Sequence, residues 1–164
     1  MTEIAEIEGY AAIYERPDLS GDIIRRGAFP GVIAGSVKML YQHAAEQPIG
    51  IWRRFEDRAD GLYAIGELHL VSERQREIHG LLRGGALDGL SIGYRVNRAV
   101  KIPGGRIIER ASLWETSLVT FPMAPRARIT HVGPAIPTDD DSFAARATII
   151  SAAQSIQSSI PVTV

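Results

Sequence analysis

GALDGLSIGYRV, Gly85 to Val96, is the stretch whose reading decides the fold. Within it, Gly89-Leu90-Ser91-Ile92-Gly93 matches G-x-S-x-G, the pattern of a strand-to-helix elbow that exposes a nucleophilic serine in α/β-hydrolases. An elbow requires a helix straight after the serine. Here Leu90, Ile92, Tyr94 and Val96 fall on one parity and Ser91, Gly93 and Arg95 on the other. A period of two is a strand. The elbow order, serine then acid then histidine, would have to end on His131, the only histidine after Ser91, and it lies near the suspected linker. The elbow reading is discarded, and Ser91 is a strand serine.

Short strand-like runs surround it: Glu6 to Tyr14, Val37 to Tyr41, Ile49 to Phe55, Leu62 to Leu70, Leu90 to Lys101, Arg106 to Glu109 and Leu113 to Phe121. Asp18 to Asp22, Asp60-Gly61 and Pro103-Gly104-Gly105 carry turn chemistry. Glu73 to Arg83 predicts a helix, with Ser72 and Gln75 as a capping-box pair and Gly84-Gly85 as its stop. Gly27 to Ala34 predicts a second, short helix with Pro30 in its first turn. The expected fold is α+β and mainly β: a small, bent antiparallel β-barrel flanked by a few helices. The expected domain runs over residues 1–131. Residues 132–164 read as an acidic linker, with Asp139-Asp140-Asp141, followed by a helical or low-order tail over Phe143 to Ser159.

The 164 residues suit one domain with a real core. A net charge of −1 gives no basic excess for nucleic acid. No apolar run approaches the roughly 20 residues that span a bilayer. MTEIAEIEGY shows no secretion signal. With no cysteine, disulfides, thiol catalysis and cysteine-bound zinc are excluded, and a reducing cytoplasm is compatible. His69 and His79 form no zinc pattern, and no phosphate loop appears, so neither a metal nor a cofactor is expected.

A strand serine reacts only with a base in reach and a group orienting that base. Alone, it is as well explained as a small residue permitting close packing. His43, where strand becomes loop, is the candidate base, though the position also suits a turn histidine on the surface. Glu115 shares a parity with Leu113, Ser117, Val119 and Phe121, which is expected to face the core. A lone buried carboxylate costs several kcal/mol unless paired. Its partner is either a histidine or an arginine such as Arg95. Backbone N–H groups near Gly104-Gly105 or Arg95 are candidate oxyanion donors.

These pieces together resemble the prohead proteases of tailed phages, capsid-maturation serine peptidases similar in fold to herpesvirus assemblins. The resemblance runs from about Gly9 to Ile129. It is carried in order by Gly9-Tyr10-Ala11, Gly27-Ala28-Phe29, Met39-Leu40-Tyr41-Gln42-His43, Pro48 to Trp52, Asp60-Gly61-Leu62, Gly85 to Tyr94 and Trp114 to Pro122. It implies Ser91 as nucleophile, His43 as general base and Glu115 as orienting acid. An acidic residue often follows the family's histidine, and here Ala44 stands there. The resemblance also implies substrates, namely the scaffold or the scaffolding segment of the major capsid protein, with self-cleavage. It implies action inside the prohead in the host cytoplasm, and self-association as a dimer. The alternative is a non-catalytic capsid-assembly module of the same fold. The tail is either an expendable end or a carrier of a targeting or self-cleavage site.

Overall fold

The computed structural model describes residues 2–138. The expected tail helix and the Asp139 to Asp141 run lie outside the described residues. In chain order the elements are β1 (Thr2–Ile13), β2 (Ile23–Ile24), a 3-10 turn (Ala34–Ser36), β3 (Lys38–Tyr41), β4 (Ala44–Asp57), β5 (Gly61–His69), α1 (Glu73–Arg83), β6 (Gly89–Ile102), β7 (Gly105–Val119), β8 (Ile129–Val132) and β9 (Ile136–Thr138).

The strands pair in the order β2-β7-β3-β4-β5-β1-β8, with β6 on β7 and β9 on β1. β7 is the hub. It runs antiparallel to β6 along its whole length and parallel to both β2 and β3. The sheet is therefore mixed rather than antiparallel. It also remains open. Isolated bridges alone span its gaps, Tyr14 to Ile24 and Pro17 to Ile23 between the end of β1 and β2, and Gly89 to Arg128 between β6 and the approach to β8, so the sheet does not close into the expected barrel.

The 73–83 helix stands as its cap dictates. The Ser72 side chain accepts from the Gln75 N–H, and the Gln75 side chain accepts from the Ser72 N–H. Ile78 and Leu82 bury its apolar stripe. The second expected helix does not form. Gly27 and Gly31 adopt φ of 78° and 65°, left-handed values that break a helix on both sides of Pro30. Only the 3-10 turn remains there, so α1 is the sole α-helix among the described residues.

Two expected strands, 106–109 and 113–121, are one strand, β7. Its register against β6 slips where Gly93 faces Glu115 but Tyr94 faces Leu113, leaving Trp114 as an extra residue. Such a bulge re-aims side chains on either side. β4 likewise runs longer than expected. It accommodates Pro48 at a register shift, where a missing N–H is tolerated. Gly133 to Thr138, read as linker, includes β9, which pairs with β1 at Thr2 to Ile4.

The core lies where β1, β3, β4, β5 and β7 converge. Ile7, Met39, Trp52, Leu68, Leu90 and Leu118 are essentially fully buried. Each such aliphatic side chain contributes about 1.5–3 kcal/mol. The Trp52 indole N–H donates to the Thr116 carbonyl at 3.1 Å, tying β4 to the hub strand beside the site described next.

Candidate active site

Three adjacent strands carry the site. Across β6 and β7, Ser91 faces Ser117 and Gly93 faces Glu115. Across β7 and β3, Ser117 faces Leu40. Directly opposed residues put their side chains on the same face. Ser91, Gly93, Glu115 and Ser117 therefore share one face. Leu90, Thr116 and Leu118 fill the core on the other. The expectation that Glu115 faces the core is corrected: both faces of this end of β7 are shielded, and Glu115 lies on the face that carries Ser91. Phe121, of the same parity, is 88% exposed, because β7 ends at Val119.

His43 reaches this face through a two-residue turn. Tyr41 pairs with Ala44, leaving Gln42 and His43 at the tip, with φ of 52° and 60°. Two-residue hairpin turns with positive φ at both central residues usually use Asn-Gly. A bulkier residue there costs on the order of 1–2 kcal/mol. Strain of this kind persists only where the surroundings over-determine it, and it clusters at functional sites. Here the Gln42 side chain donates to the Thr120 hydroxyl at 2.8 Å, and the Gln42 N–H donates to the Leu118 carbonyl at 2.9 Å. Both contacts bolt the turn to the end of β7.

The imidazole Nδ1 meets Glu115 Oε1 at 2.5 Å. A carboxylate only accepts, so Nδ1 carries a proton, and in the neutral ring Nε2 is the acceptor. The other carboxylate oxygen, Oε2, accepts from the Ser117 hydroxyl at 2.5 Å. Ser117 is fully buried, while the Glu115 side chain is 15% exposed and that of His43 44%. Arg95, the other possible partner of Glu115, instead lies near the Trp114 ring.

Ser91 and His43 line one cavity of about 320 Å³. The Ser91 hydroxyl makes no direct hydrogen bond to the ring. Catalytic hydrogen bonds often tighten only when substrate binds. Burial, followed by the charges of Asp22 and Asp18, pushes the Tyr94 hydroxyl above its usual range, so the cavity wall presents a neutral O–H. A nearly buried Asp22 is held there by two hydrogen bonds from Arg106. Gly104, Gly105 and Arg95, the expected oxyanion neighbourhood, do not line this cavity. Gly104 and Gly105 pack instead against Gly21: a Cβ at Gly21 would strike the Gly104 carbonyl, and one at Gly105 the Gly21 carbonyl. Among the described residues, no group of three His, Cys, Asp or Glu side chains is placed to hold a metal ion.

Two contributors were not singled out in the sequence. Ser117 left only its parity as a signal. Gly93 is the second glycine of the G-x-S-x-G match, and a Cβ there would collide with the Glu115 carboxylate. Its absence leaves room over β6 for the carboxylate whose Oε1 meets His43. Gly93→Ala is expected to displace that carboxylate and lower turnover about 10²-fold, the scale of a 1 Å misplacement. Steady-state kinetics beside a melting curve would check this, with activity falling far more than stability.

The model of the caudovirus prohead serine protease family matches residues 1–138. The chain belongs to that family. The prohead protease of Enterobacteria phage HK97 is 33% identical over 129 residues, covering 74% of this chain and 57% of that protein's length. This family member thus spans little more than half of that relative. Among solved structures, a KSHV protease bound to a hexapeptide phosphonate inhibitor aligns with a TM-score of 0.50 at 10% identity. That alignment covers 80% of this chain and 65% of the other. The varicella-zoster virus protease aligns at 0.49 and 12%, covering 79% and 64%. The first likeness establishes a herpesvirus-protease-like fold, mainly β.

Proposed function

We propose that this chain is a serine endopeptidase of prohead maturation, with Ser91 as nucleophile, His43 as general base and Glu115 as orienting acid. The observation that carries the reading is the hydrogen-bond chain Ser117–Glu115–His43, ending at the cavity that also holds Ser91. His43 Nε2 takes the proton of Ser91 as Oγ bonds to the scissile carbonyl carbon. The same proton passes to the leaving amine as the C–N bond breaks. Water, deprotonated by Nε2, then attacks the acyl carbon, and that proton passes to Ser91 Oγ as the ester bond breaks and the acid product leaves. Glu115 holds Nδ1–H throughout and stabilises the imidazolium. Ser117 fixes the carboxylate so that Oε1 stays on the ring.

The substrates that fit family membership are the scaffold and the scaffolding segment of the major capsid protein, together with this chain itself. The place of action is the prohead, in the host cytoplasm. Self-association as a dimer belongs to the same reading, and the domain, expected to end at residue 131, is taken to run through β9. The test is co-expression of the chain, wild type and Ser91→Ala, with the major capsid protein of its phage, followed by intact masses. Shortened capsid protein or protease in the wild type alone supports the reading. Unchanged masses in both, with assembled particles present, favour the assembly module.

A further inference from the structure

The Ser91 cavity continues past Ile13, Arg16 and Ala124 into a shallow trough floored by Ile13, Pro17, Ala124 and Pro125. Arg16 and Arg126 line this trough, and no carboxylate does. Both arginines are exposed, and neither makes a hydrogen bond or ion pair to any described residue. Their backbones are stiffened by proline. Arg16 precedes Pro17, which restricts it to extended conformations, and Arg126 follows Pro125.

The acids nearby do not neutralise them. Glu15 accepts from the Arg25 guanidinium at 2.8 Å and from the Arg26 N–H at 3.0 Å. Asp18 accepts from the Ser20 N–H, the Ser20 hydroxyl and the Asp22 N–H. Asp22 is taken by Arg106. Glu15 and Asp60 line the adjoining depression together with Arg16 and Arg126, outside the trough itself, and neither carboxylate pairs with those two arginines. Two uncompensated guanidiniums thus flank an apolar floor that opens directly onto the catalytic cavity. A guanidinium offers a planar fork of donors matched to a carboxylate. The side chain that satisfies such a trough has a short apolar stem and a carboxylate at its end.

We propose that the trough is a substrate subsite for an aspartate or glutamate placed a few residues from the scissile bond. The proposal rests on the peptidase reading above and deepens it by naming the class of sequence cleaved. An extended polypeptide advances about 3.3 Å per residue. An acid at one fixed distance on one side of the cut therefore fits a trough continuous with the Ser91 cavity.

The test is cleavage-site profiling by mass spectrometry on a proteome-derived peptide library, with wild type and the Arg16→Glu/Arg126→Glu double variant. Wild type should enrich Asp and Glu at one position on one side of the cut. The double variant should lose that enrichment and gain Lys or Arg at the same position. For a matched pair of peptides differing only as Glu or Lys there, the ratio of kcat/KM should invert. Roughly 5- to 30-fold of the change should lie in each direction, the scale of a part-exposed charge pair. Arg126→Ala, less disruptive, should shift the profile the same way by a smaller amount. Cleavage with no acidic preference, or with a preference that charge reversal leaves in place, overturns the inference and spares the peptidase reading. No wild-type cleavage of any library peptide counts against the peptidase reading and takes this inference with it.

Discussion

Ser91→Ala is expected to lower peptide cleavage about 10⁶-fold, the loss seen when a serine-protease nucleophile is removed. The fold should survive unchanged. Ser91 is nearly buried on β6, and the change deletes one hydroxyl that makes no side-chain hydrogen bond. Alanine leaves the packing of Leu90 and Ile92 on the opposite parity untouched. Melting curves of the two proteins should overlay within a few degrees while progress curves differ completely. His43→Ala should match this loss, because residues that act as a unit are not additive and removing either partner removes the reaction. Full activity in Ser91→Ala would end the mechanism.

Glu115→Gln is the second large effect, and it should be smaller. The amide keeps the shape but cannot hold Nδ1–H and stabilise imidazolium as a carboxylate does. A loss of about 10⁴-fold is expected, against about 10⁶-fold for the nucleophile. Ser117→Ala separates orientation from packing. It leaves Glu115 Oε2 without its buried donor, costs about 1–3 kcal/mol of stability, and frees the carboxylate to swing. Turnover should fall by about 10- to 100-fold, the usual scale for a group that orients a reacting residue. KM should stay nearly constant, and Ser117→Thr should restore much of the rate. A Ser117→Ala enzyme of lower stability but unaltered turnover would leave Ser117 as packing alone.

What could be read from the sequence is what local chemistry decides. The cap at Ser72 and Gln75 specifies the start of α1, and the parity of Leu90 to Val96 identifies Ser91 as a strand residue. The candidate residues His43 and Glu115 were legible because each was locally awkward, one at a strand end and one a carboxylate on a shielded strand. What could not be read depends on distant partners. The parallel pairing of β3 with β7 joins residues nearly eighty positions apart and puts Lys38 opposite Glu115, so no window of sequence contains it. The turn at Gln42-His43 lacks the Asn-Gly signature, because its left-handed backbone is held by Thr120 and Leu118 from another strand. The role of Gly93 needs Glu115 across the ladder, and the bulge at Trp114 needs the register of β6. Gly27 to Ala34 misleads in the other direction: Pro30 suits a helix start, but the flanking glycines spend their freedom on left-handed turns.

The most direct test of the account is covalent labelling with a serine-directed fluorophosphonate, read by intact mass and peptide mapping on wild type, Ser91→Ala and His43→Ala. One adduct per chain is expected on Ser91 in the wild type, none in Ser91→Ala and almost none in His43→Ala. An adduct on another serine, or equal labelling of Ser91 with and without His43, would contradict it.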